Sequence, residues 1–126
     1  MRITVTTGDV TTTETPALVV NLFSGVKKPG GAAGAVDKAL GGVITQLIKE
    51  GEIKGKVGDI SLIHTLGKIT PARVIVAGLG AADEFDAQVV RQVAAEVARY
   101  LQRKGIKKAV TIAHGAGVGG LEPRTS

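Results

Sequence analysis

The sequence has no cysteine and no tryptophan, and Phe23, Phe85 and Tyr100 are its only aromatic residues. Without cysteine there is neither a disulfide framework nor thiolate chemistry. Three aromatics are too few for a surface that grips single-stranded nucleic acid by base stacking. No run of 18 or more apolar residues occurs, so no helix of this chain spans a bilayer. The N-terminal "MRITVTTGDV" alternates and lacks the apolar stretch of a signal peptide. A soluble, cytoplasmic protein with no membrane association is the expectation.

Reactive constellations are missing as well. The two histidines, His64 and His114, fall in or at the end of strand-like segments, with no close H-x-x-x-H pair. A tetrahedral zinc site needs three or four ligands, so both are read as structural. There is no G-x-S-x-G elbow and no Walker Gly-Lys-Ser/Thr run. The acids Asp9, Asp59, Asp83, Glu84 and Asp86 stand beside turns and helix starts, where capping places them, and no carboxylate dyad suggests itself.

What is present points to one packed domain. A chain of 126 residues with 44% hydrophobic content supports a single core. Its 18 glycines imply tight connections and close backbone packing. The formal net charge of +5 could draw anions, although ordinary solubility is the simpler explanation.

"RITVT" (2–6) alternates as a half-buried strand does, and "ALVVNLF" (17–23) reads as a strand covered on both faces. In "AAGAVDKALGGVITQLIKEG", Val36, Leu40, Ile44, Leu47 and Ile48 share one helical stripe, which Gly41 and Gly42 interrupt. Either one helix kinks there or two short helices meet. Gly51 suits the position after a helix end. "DISLIHT" (59–65) and "RVIVAGLG" (73–80) are further strands. The clearest helix lies in "DEFDAQVVRQVAAEVARYLQRKG", with Val90, Val93, Ala94, Val97 and Leu101 as its apolar stripe, Asp83 or Asp86 as cap and Gly105–Ile106 as closing turn. "KKAVTIAHG" (107–115) is a last strand. Helices alternating with buried strands predict an α/β domain with a mixed, mostly parallel sheet.

Three glycine-rich stretches raise the question of a phosphate cradle. Gly115, Gly117 and Gly120 spell G-x-G-x-x-G after a strand, but only Leu121 to Ser126 follow, Pro123 among them. A dinucleotide fingerprint needs a helix there and an acidic residue roughly 20 positions on. Gly78 and Gly80 in "VAGLGAADEF", and Gly30 and Gly31 in "KKPGGAAG", stand before helix starts, where backbone N–H groups can meet an anion. Glycine also serves positive φ alone. The cationic run Arg99, Arg103, Lys104, Lys107 and Lys108 is either a phosphate-binding patch or a solvated helix end.

Taken in order, "ALVVNLF", "AVDKALGGVITQLIKEGEIKGKVGDISLIHTLGKITPARVIVAGLG" and "EFDAQVVRQVAAEVARYLQRKGIKKAVTIAHG" resemble the N-terminal domain of the leucyl aminopeptidase (cytosol aminopeptidase) family. The resemblance covers residues 3–115. It implies a macro-domain-like three-layer sandwich over 1–115, with 116–126 as the start of an interdomain linker. It also implies a cytoplasmic, hexameric parent enzyme that removes N-terminal residues from peptides with two divalent metal ions, zinc or manganese. The family's metal ligands and catalytic residues belong to a C-terminal domain. Its "NTDAEGR"-type motif has no counterpart here, so no catalytic or metal-binding residue carries over. The expectation is therefore a non-catalytic accessory domain separated from its catalytic partner. Two other functions follow from the resemblance: macro-like folds bind ADP-ribose, and some bacterial relatives bind DNA through this part of the molecule.

Overall fold

A computed structural model of the chain describes residues 2–6 and 10–112. Strands β1 (Arg2–Thr6), β2 (Leu18–Phe23), β3 (Ile60–His64), β4 (Arg73–Gly80) and β5 (Lys108–Ile112) form one sheet in the order β1-β5-β2-β4-β3. All neighbours are parallel except β3, which pairs antiparallel with β4. Helices α1 (Gly31–Ala39) and α2 (Val43–Lys49) cover one face, and α3 (Ala87–Arg103) covers the other.

The alternation of side chains along the central strands builds two cores at once. Leu18, Val20 and Leu22 of β2, with Val74 and Val76 of β4, pack against Val36, Leu40 and Ile44. The intervening Val19, Ile75 and Ala77 pack against Val93, Val97 and Leu101 of α3. This is why "ALVVNLF" and "RVIVAGLG" lack polar alternation: neither face of these strands meets water.

The stripe from Val36 to Ile48 is carried by two helices, not one. Gly41 (φ +77°) and Gly42 (φ +88°) turn the chain between them through left-handed backbone that disfavours other residues. Gly42 has no side chain with which to cap α2, and Asp37 takes over that task from the preceding helix. Its carboxylate accepts the Thr45 N–H at 3.0 Å and the Thr45 hydroxyl at 2.5 Å. Asp37 is only 8% exposed, so this pairing satisfies a charge that would otherwise be buried unbonded.

Asp86, not Asp83, caps α3: its side chain accepts the Val89 N–H at 2.9 Å. Asp83 lies in a short 3-10 turn, Ala82–Glu84. Gly51 and Gly105 close α2 and α3 as expected, and Ile106 N–H reaches back to the Leu101 carbonyl at 2.9 Å. One expectation is corrected. Val90 and Ala94 are exposed, and half-buried Val89 and Tyr100 complete the buried row instead. The face of α3 that the sheet covers runs through Val89, Val93, Val97, Tyr100 and Leu101, where the Tyr100 ring removes more apolar area from water than Ala94 could.

Candidate functional site

Open α/β sheets bind ligands at the carboxyl ends of their strands. Here the loops that follow β2 and β4 stand side by side at that end, and the rings of Phe23 and Phe85 meet edge to face at 5.2 Å. Gly78 and Gly80 end β4, and Gly30 and Gly31 open α1 after the loop that follows β2, but the surroundings of the two pairs differ.

The segment 53–59, between α2 and β3, crosses the ends of β2 and β4. Ile53 anchors it in the core. The Gly80 N–H donates to the Gly55 carbonyl at 2.8 Å, and the Gly78 N–H to the Asp59 carbonyl at 2.8 Å. The Gly80 carbonyl in turn accepts the Ser24 N–H at 2.9 Å. A Cβ on Gly78 would lie 2.1 Å from the Lys56 carbonyl oxygen, a separation no side chain permits. The two amides that the sequence offers to an anion are thus already donors within the chain, and Gly78 is required by close backbone approach. Sequence reading recognised the glycines but not this strap, whose signal was the run Gly55, Lys56, Val57, Gly58 ahead of β3.

Gly30 and Gly31 occupy the start of α1 and are exposed. A Cβ on either meets nothing within 4 Å. The Gly30 carbonyl accepts the Gly34 N–H at 3.1 Å, opening the helix, and Lys27 and Lys28 stand exposed just upstream.

The cationic residues gather at the opposite end of the sheet, where α3 finishes and β5 begins. Arg99 pairs with Glu96 on the helix surface. The Arg103 guanidinium and the Lys104 ammonium approach the Tyr100 ring at 6.0 and 5.6 Å from its centroid, within cation–π range. Lys107 and Lys108 follow, both exposed. Only Arg103 and Lys104 share the Tyr100 ring, and this end of α3 lies at the opposite end of the sheet from the glycine pairs.

The described residues do not fit a catalytic metal pair. Among them no group of three or more His, Cys, Asp or Glu side chains is placed to hold an ion. His64 is exposed on the edge strand β3. His114 and the glycines 115, 117 and 120 lie outside the described residues. No helix among those described is long and apolar enough to cross a membrane.

Residues 19–118 match the sequence profile of the cytosol aminopeptidase family, N-terminal domain. A probable cytosol aminopeptidase of Azoarcus sp. is 37% identical over 114 residues, which cover 90% of this chain and 22% of that protein. The chain spans about a fifth of the length of the curated relatives it matches. In three dimensions it is similar to the macrodomain of Mycobacterium tuberculosis DarG, with a TM-score of 0.74 at 20% identity over 97% of this chain and 82% of that one. A tomato leucine aminopeptidase mutant superposes with a TM-score of 0.67 at 15% identity, over 99% of this chain and 25% of that one. The macrodomain-like three-layer fold and the profile match over most of the sequence agree, and the chain belongs to the cytosol aminopeptidase family, of which it carries the N-terminal domain.

Proposed function

We propose that this chain is a non-catalytic accessory domain of a metal-dependent leucyl aminopeptidase, supporting its assembly and limiting access to its catalytic domain. On this proposal the domain takes up residues 1–115 and the start of the linker 116–126, a boundary that lies outside the described residues. The parent removes N-terminal residues from peptides with two divalent ions, zinc or manganese, held by residues C-terminal to the matched region, and works as a cytoplasmic hexamer. One observation carries this reading: at the sheet end where α/β enzymes place their chemistry, the backbone donors of Gly78 and Gly80 are tied to the 53–59 strap. The test is to remove the corresponding domain from the Azoarcus relative. Loss of the large assembly in light scattering, or faster cleavage of long peptides relative to leucyl-p-nitroanilide, is expected. An enzyme that assembles and discriminates by length just as the intact one does would refute the reading.

A second reading is favoured by Arg103 and Lys104 beside the Tyr100 ring, with exposed Lys107 and Lys108 following in the chain. Such a corner suits duplex DNA, with affinity that falls steeply as salt rises and after charge reversal at Arg103 and Lys107. Salt-insensitive retardation in a mobility-shift experiment would dispose of it. An ADP-ribose-type ligand has less support. Of the four candidate glycines, only Gly30 and Gly31 stand in open space, and calorimetry with ADP-ribose tests whether they suffice.

A further inference from the structure

Strand β3 lies at one edge of the sheet, with β4 as its neighbour. The Gly78 N–H donates to the Asp59 carbonyl at 2.8 Å, and the Thr65 N–H donates to the Ala72 carbonyl at 3.2 Å. In an antiparallel pair, residues whose backbone groups face the neighbour alternate with residues whose groups face away. Residues 59, 61, 63 and 65 therefore turn their N–H and C=O groups toward β4, and Ile60, Leu62 and His64 turn theirs outward. Among the described residues no backbone hydrogen bond reaches those three from beyond the edge.

Exposed edges are ordinarily guarded by lysine, proline or a bulge. The strand reads ISLIH, and its register with β4 runs without a shift, so it carries none of these guards. Its side chains leave apolar area open too. Ile60 and Leu62 are half-buried at the margin of the core beneath α3. Ser61 is half-buried on the opposite face, where Ile63 is covered by the core beneath α1.

We infer that β3 pairs antiparallel with β3 of a second copy of the chain, about a two-fold axis at Leu62, joining the two sheets into one. The register points to a copy of this chain as the occupant. Ile60, Leu62 and His64 are spaced evenly about Leu62, so Leu62 meets Leu62 of the other copy and Ile60 meets its His64. Every outward N–H and C=O of the strand then finds a partner, whereas a slip of two residues leaves such groups bare at both ends. The two Leu62 side chains touch across the axis, with Ile60 beside each, and apolar pairs of this kind stabilise a sheet. Charge agrees. The chain carries a net +5, yet no lysine or arginine lies between Lys56 and Lys68, and Asp59 falls opposite Thr65. Two basic chains thus meet along a stretch of strand that holds no fixed cation. A strand of five residues covers far less than the roughly 800 Å² per partner of a stable complex, so the isolated chain pairs only when concentrated.

This contact gives the proposed assembly role a surface, but it is tested on the chain itself and stands or falls apart from the removal of the domain from the Azoarcus enzyme. Amide hydrogen exchange read by NMR should slow at Ile60, Leu62 and His64 at least about threefold between about 50 μM and about 1 mM. Ser61 and Ile63, already bonded to β4, should change less. Leu62→Lys and Leu62→Glu each set like charges across the axis and should each weaken association at least about tenfold in sedimentation velocity. An equal mixture of the two should associate more tightly than either alone. His64→Pro, at an exposed position whose N–H serves no bond within the chain, should weaken association as well. Exchange at the three amides that ignores concentration would overturn the inference, whether it is fast because the edge stays open or slow because the chain's own residues cover it. So would a mixture of folded Leu62→Lys and Leu62→Glu chains that associates no better than its parts, or a His64→Pro chain that associates as tightly as the parent sequence.

Discussion

Gly78 and Gly80 end one strand, and Gly30 and Gly31 open one helix, at the same end of the sheet. In the sequence the two pairs look alike. In the structure a Cβ on Gly78 collides with the Lys56 carbonyl oxygen at 2.1 Å, while a Cβ on Gly30 or Gly31 finds nothing within 4 Å. The first pair exists so that another stretch of backbone can come close. The second has no packing reason to be glycine. A glycine motif therefore says that the backbone is approached closely or turned sharply; it does not say whether the approaching group is a ligand or the protein's own chain.

Substitutions sharpen that contrast. Gly78→Ala should have the largest effect. It must push the 53–59 strap away and strand the hydrogen bonds it makes, at about 3 kcal/mol or more, a fall of roughly 10 °C in melting temperature for a chain this size. Asp37→Ala should come next. It leaves the Thr45 N–H and hydroxyl without their acceptor, for about 2 kcal/mol in urea unfolding with an unchanged slope. Asp86→Ala, which removes an exposed cap of α3, should cost about 1 kcal/mol in the same measurement. Gly30→Ala should fall within about 0.5 kcal/mol of the parent sequence. If Gly30→Ala proved as damaging as Gly78→Ala, the distinction between the two loops would break.

Much of the fold was legible because it follows from period and punctuation. The buried strands, the apolar stripe broken at Gly41–Gly42 and the closing turns at Gly51 and Gly105 each have a local cause, and the structure places them where the sequence does. What was not legible is set by tertiary contact. The role of Asp37 depends on Thr45, eight residues away in another helix. The reason for Gly78 lies in a strap that precedes β3. The roll of α3, which leaves Val90 exposed and draws in Val89 and Tyr100, is decided by the sheet beneath it. The cationic run was legible, but not the approach of Arg103 and Lys104 to the Tyr100 ring.

The proposed accessory role requires that this N-terminal domain by itself does not hydrolyse peptides. Its most direct test is the release of p-nitroaniline from leucyl-p-nitroanilide by the purified chain supplied with zinc or manganese. The expected rate is that of the metal in buffer alone. Saturable, metal-dependent release that follows the folded chain through purification and disappears on unfolding would contradict it.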